Sequence, residues 1–117
     1  MIRIGLTVAV MAMGGFGLLT ATADARSHGC RYSSAGQAPA IKNLRVSGGP
    51  CFAAELTADN IIATFNGNGG RLPHRPRGSS YRCHYRKTSF ARYRGTCRYK
   101  RPGGRLITVT MKLYLPV

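Results

Sequence analysis

Acidic residues are what this chain most lacks. Three Asp+Glu stand against 18 Lys+Arg in 117 residues, a formal charge of +15, and no acid follows Asp59. General acid–base chemistry needs positioned titratable groups. Here it is left to His28, His74, His84 and Glu55, and no spacing links them. Length is also short. One domain fits, and a (β/α)₈ barrel of about 250 residues does not. Gly67, Gly69 and Gly70 lead into Arg71 and a proline rather than a helix, so no glycine-rich phosphate loop is present. Tryptophan is absent, but 44% of residues are hydrophobic, which argues against a disordered chain.

The longest apolar run lies at the start. Met1 to Arg3 carries one positive charge, and Ile4 to Ala23 carries none. Ala21-Thr22-Ala23 and Ala23-Asp24-Ala25 both fit a small-x-small cleavage pattern, so residues 1–25 read as a secretory signal peptide. About 20 apolar residues can also span a bilayer. Gly14, Gly15, Gly17 and the small-residue end favour cleavage over an anchor. No twin arginine precedes the run, and no cysteine beside the cleavage region suggests a lipid anchor. Removing 25 of 117 residues leaves 92, still at +15. The expected product is secreted or periplasmic and monomeric, with no membrane anchor. A domain of that size sits near the limit of what one hydrophobic core supports unaided.

Cys30, Cys51, Cys83 and Cys97 all lie beyond the signal segment. An even count in that context reads as a disulfide framework. Four cysteines allow three connectivities, and locality favours Cys30–Cys51 with Cys83–Cys97. Zinc sites use tight pairs such as C-x₂-C. No such pair occurs, so neither a metal nor another cofactor is expected.

Residues 26–40 read as an irregular arm and 41–117 as a single small α+β domain. Ile41 to Val46 is a short strand candidate, with Leu44 and Val46 on the face of Lys42. Pro50 opens a helix. Its apolar stripe is Cys51, Ala54, Ala58, Ile61, Ile62 and Phe65, and Gly67 is the left-handed stop. Residues 66–80 form a long exposed loop. Tyr81 to Arg86, Gly95 to Arg101 and Arg105 to Leu115 alternate as strands, with Phe90 and Tyr93 in a loop beside Lys87, Arg92 and Arg94. A three-residue turn at 102–104 sets Tyr99 against Ile107 and Cys97 against Val109, with the apolar residues on one face. A two-residue turn would set Cys97 against Thr110 and mix the faces. The expectation is one helix on a three-stranded, or four-stranded, antiparallel sheet braced by disulfides.

A first cysteine, then Asn43-Leu44-Arg45-Val46-Ser47, a cysteine opening a helix, and a later cysteine pair before an alternating strand form a recognisable order. It resembles a loosely defined group of small secreted bacterial four-cysteine domains of uncharacterised function, common in actinobacteria. In that group the helix-opening cysteine follows Val-Ser directly, whereas Gly48-Gly49-Pro50 intervenes here. The resemblance covers about Cys30 to Leu115. It implies Cys30–Cys51 and Cys83–Cys97 pairing and export, and it carries no activity.

The charge is unevenly placed. Residues 60–117 hold ten Arg and three Lys with no acid. Strand alternation puts Arg82, His84, Arg86, Arg98, Lys100 and Lys112 on one outer face, with Thr108 and Thr110. Such a face attracts polyanions, and arginine forks match phosphate and carboxylate. The leading expectation is a non-enzymatic domain whose Arg/Tyr-rich sheet face binds nucleic acid, an anionic envelope polymer or anionic lipid. Non-specific nucleic-acid binding in vitro follows from charge alone. High-GC coding would also enrich arginine without any ligand. Two alternatives are an inhibitor or effector using the exposed 66–80 loop, and a small ribonuclease-like hydrolase.

Overall fold

The computed structural model describes residues 26–117; the signal-peptide expectation falls on residues 1–25, outside them. The elements are β1 (His28–Gly29), β2 (Ala40–Ser47), α1 (Cys51–Gly67), β3 (Arg82–Ser89), β4 (Arg92–Lys100) and β5 (Leu106–Tyr114). The strands form one antiparallel sheet in the order β1-β2-β5-β4-β3. The class is α+β, and the sheet has five strands rather than three or four. The extra strand comes from the arm, where His28 and Gly29 pair with Val46 and Arg45. A pairing of two residues leaves no periodicity to read.

The β4–β5 register is the one the alternation predicts, with Tyr99 opposite Ile107 and Cys97 opposite Val109. Cys83 faces Cys97 across β3 and β4, and the two are bonded. Their Cα atoms are 4.0 Å apart. That is the close spacing of a non-hydrogen-bonded antiparallel pair, where facing side chains approach most nearly. The second bridge joins Cys30 to Cys51 and ties the arm to the start of α1. No free cysteine remains among the described residues.

The helix covers one face of the sheet. Ala54, Ala58, Ile61 and Ile62 pack on Ile41, Leu44, Val46, Ile107, Val109, Met111, Leu113 and the Cys83–Cys97 bridge. Thr57 and Thr64 are also buried, each donating its hydroxyl to the carbonyl four residues back, at 2.8 and 2.7 Å. Pro50 is extended and lies one residue outside the helix, which begins at Cys51. Gly67 is the last helical residue. The left-handed conformations belong instead to Gly69 and Gly70, and the Gly70 N–H donates to the Phe65 carbonyl at 3.0 Å.

Lys42 does not share the face of Leu44 and Val46. A register shift between Lys42 and Arg45, with Asn43 at φ 54°, inserts an extra residue into β2. Ile41, Leu44 and Val46 are buried and Lys42 is exposed. A bulge of this kind turns the strand's alternation over. The arm is fastened to the helix layer by the Tyr32 hydroxyl, which donates to Asp59 Oδ1 at 2.6 Å, and by Asn66, which donates to the Ala38 carbonyl at 2.9 Å. Burial first, and then that bond to Asp59, push the Tyr32 phenol well above its ordinary pKa.

Gly48 links β2 to the helix at φ +81°, and a Cβ there would collide with the Leu106 carbonyl oxygen. Both the conformation and the contact require glycine. Gly48→Ala is expected to cost about 2–4 kcal/mol, read by denaturant unfolding with the disulfides intact. A loss below about 0.5 kcal/mol, the range of ordinary surface changes, would show that the linker adapts.

Candidate anion-binding face

Among the described residues no helix covers the opposite face of the sheet, and cations dominate it. Pairing gives its rows directly. Arg86, Arg94, Lys112 and Lys42 lie side by side across β3, β4, β5 and β2. Arg82 faces Arg98, which faces Thr108 and then Ser47. His84, Thr96, Thr110 and Arg45 form the row between. Lys100 pairs with Leu106 at one end, and Arg92 with Tyr114 at the other. The lysines, arginines and His84 in these rows are exposed. Neighbouring strands are about 4.8 Å apart and alternate residues about 6.8 Å apart along a strand, so the cations form a close grid.

The register therefore brings Arg82, His84, Arg86, Arg98, Lys100 and Lys112 to one face. It adds Lys42, Arg45, Arg92 and Arg94. Arg92 and Arg94 were expected in a loop, but β4 begins at Arg92 and only Phe90 and Ala91 lie between the paired Ser89 and Arg92. Gly95 hid the alternation there. It is buried on the inner face, where a Cβ would meet Leu113 Cδ1 at 2.9 Å, but a glycine does not register as apolar. Arg45 is partly occupied, donating from Nε to Ser27 Oγ at 2.7 Å and from Nη2 to the Ser27 carbonyl at 3.0 Å.

Tyrosine contributes little to this face. Tyr81, Tyr85, Tyr93 and Tyr99 are half-buried and pack against the core. The Tyr85 hydroxyl donates to the Pro73 carbonyl at 2.6 Å, and burial holds its phenol well above the ordinary value. Among the described residues Tyr114 is the outward tyrosine of the paired rows. Arg92 and Lys42 lie over its ring, at 5.5 and 5.8 Å from the centroid. The face thus presents charge and hydrogen-bond donors rather than a stacking surface.

Acids are kept away. Glu55 and Asp59 lie on α1, on the other side of the sheet. Like charges directly opposite each other in a sheet are destabilising. The cationic rows therefore carry a cost that no acidic side chain among the described residues offsets.

Two shallow depressions lie where β3, β4 and β5 carry the grid. One of about 460 Å³ is lined by Ser80, Arg82, His84, Arg98, Tyr99, Lys100 and Leu106. The other, about 230 Å³, lies by Arg92, Arg94, Lys112 and Tyr114.

Of the acid–base candidates, His74 and His84 come together, with ring centroids 6.1 Å apart. His74 sits at the edge of β3. Its carbonyl accepts the Cys83 N–H at 2.7 Å, and its Nδ1 lies 3.0 Å from the Cys83 carbonyl. A carbonyl can only accept, so Nδ1 carries the proton and Nε2 is left free. Glu55 is on the helix layer. His28 lies beside the Cys30–Cys51 bridge, with one ring nitrogen within 4.8 Å of both sulfurs. Those sulfurs are bonded to each other and are not thiolate ligands. The 66–80 loop is pinned rather than free. Besides these bonds, Pro73 and Pro76 are buried, and the Arg77 N–H donates to Thr64 Oγ1 at 2.8 Å.

No protein family, curated protein or solved structure matches the chain.

Arg94 stands between Arg86 and Lys112 in the densest row. Arg94→Thr is expected to stabilise the free protein by about 0.5–1 kcal/mol. That corresponds to a Tm gain of about 2–8 °C at low salt, and the gain should shrink as salt screens the row. Calorimetry across a salt series reads it. An unchanged or lower Tm at low salt would mean that the row is not self-repelling.

Proposed function

We propose that the protein is an exported basic domain that holds an anionic partner on the outer face of its sheet. Nucleic acid, an anionic envelope polymer and anionic lipid share the chemistry that this face offers. The observation that carries the reading is the position of the cations. Charged residues on edge strands protect against edge-to-edge association, which would account for Arg82 and Arg86 on β3. It does not account for Arg94, Arg98 and Lys112, which lie on the central strands β4 and β5. A self-repelling row in the middle of a sheet is a cost that a bound polyanion would relieve. Export is supported by the sequence of residues 1–25, by the resemblance to secreted four-cysteine domains, and by two disulfides, which persist in oxidising compartments. Among the described residues no helix is long and apolar enough to cross a membrane.

Replacing Arg82, Arg86, Arg98 and Lys100 together by Ser is expected to weaken binding to RNA homopolymer or heparin at physiological salt by at least about tenfold. The wild-type affinity should fall steeply with salt, log K losing about 0.7–0.9 per phosphate contacted for each decade in salt concentration. Equal affinity in the variant, or a flat salt dependence, would exclude the reading.

The approach of His74 and His84 favours a second reading, a phosphodiester hydrolase in which one imidazole takes a proton and the other supplies one. RNA incubated with the protein would then be cleaved, and His84→Ala would lower the rate by about 100-fold or more. RNA left intact by the wild-type protein excludes it.

A further inference from the structure

The grid of cations ends at the β3–β4 turn, and that turn breaks two local rules. Phe90 at its tip is 78% exposed, among the most exposed large apolar side chains described. Ala91 beside it adopts φ +59°, a region that favours glycine or asparagine. A tight turn is ordinarily built from small polar residues and glycine. Residues that contradict local preference without a packing reason tend to mark function. A lone exposed phenylalanine would mean little, but its surroundings here are ordered by depth.

Arg92 closes the tip opposite Ser89. Tyr114 pairs with Arg92, and its ring lies under the Arg92 guanidinium. Behind them stand Arg94 and Lys112. A step of two residues along a strand puts Arg94 and Lys112 about 7 Å behind Arg92 and Tyr114. A bilayer is layered on the same scale, with about 5–8 Å of headgroup and interface outside each side of the hydrocarbon. Tyrosine settles at that interface, and arginine and lysine reach phosphates from it.

We propose that the β3–β4 turn docks on an anionic phospholipid bilayer. Phe90 enters the acyl boundary, Tyr114 and Arg92 lie among the headgroups, and Arg94 and Lys112 lie in the negative surface potential just outside. The proposal rests on the anion-binding reading of the outer face and names its partner as a lipid surface. A soluble polymer gives the cations their partners but leaves Phe90 in water. A bilayer accommodates both. The inward tyrosines also leave the face without a platform on which successive bases could stack, which makes single-stranded nucleic acid the poorer fit.

The chain has no tryptophan, so Phe90→Trp is a single fluorescent reporter. Binding to vesicles of phosphatidylglycerol and phosphatidylcholine in equal parts should shift its emission to the blue, and brominated acyl chains should quench it. Phosphatidylcholine alone should do neither. Phe90→Ser should weaken partitioning to the mixed vesicles by about tenfold or more while leaving affinity for RNA homopolymer unchanged. All variants are compared in the exported form, without residues 1–25, so that the apolar run cannot itself carry the chain to the bilayer. Unshifted emission in the vesicle-bound protein, or equal partitioning of wild type and Phe90→Ser, overturns the bilayer proposal. If RNA binding then survives, the anion-binding reading stands with a nucleic acid as partner. If the Arg82/Arg86/Arg98/Lys100 variant binds RNA and vesicles as well as wild type, the anion-binding reading itself has failed.

Discussion

The register of β3, β4 and β5 governs the rest of this structure, and desolvation of charge is what fixes it. Strand side chains alternate between faces, so a slip of one residue exchanges the two sets completely. Here the exchange would expose Ile107, Val109, Met111 and Leu113 and drive Arg94, Arg98 and Lys112 under the helix. Burying unpaired cations costs several kcal/mol each. No acid lies on these strands to pair with them. A sequence this poor in acid therefore rejects every slip by an odd number of residues. The Cys83–Cys97 bridge locks the same alignment covalently, because only directly facing residues can be joined at that spacing.

That alignment separates charge across a thin molecule. Acids lie on the helix layer and cations on the bare face of the sheet. The repulsion among the cations must be outweighed by a small core. Each disulfide contributes about 3 kcal/mol by restricting the unfolded chain, which is large beside the roughly 0.2–1 kcal/mol lost at each like-charged cross-strand pair. The two bridges act at different places. Cys83–Cys97 holds together the strands that repel most. Cys30–Cys51 holds the arm and the helix start, where α1 has no side-chain cap and no acid in its first turn.

Where the sequence pattern is strictly periodic, it reports the structure faithfully. Ile107 to Leu113 alternates without interruption, and both the register and the cationic face follow from it. Legibility stops at particular residues. Asn43 carries the bulge that reverses Lys42, and a left-handed asparagine looks like any other strand asparagine in the sequence. Gly95 interrupts the apolar pattern that would have extended β4 back to Arg92. β1 is two residues long and lies beside the Cys30–Cys51 bridge, and its pairing with β2 carries no hydrophobic signal. The tyrosines illustrate the same limit from the other side. Their alternation with arginine is plain, but only the helix and the pinned 68–81 loop show that their rings are covered. The meeting of His74 and His84 depends on how that loop is fastened along β3, and nothing in their spacing encodes it.

An electrostatic face selects weakly, since every polyanion meets the same grid. Selectivity must come from a feature that one class of partner satisfies and the others do not. The inward tyrosines remove base stacking as that feature, and the scarcity of carboxylates on the outer face leaves little to accept hydrogen bonds from sugar hydroxyls. Exposed apolar side chains lie at the ends of the sheet, Phe90 at one end and Leu106 at the other. Charge would then bring the protein to any anionic surface, while the buried fraction of Phe90 would decide which surface retains it. The first contribution weakens with salt and the second does not.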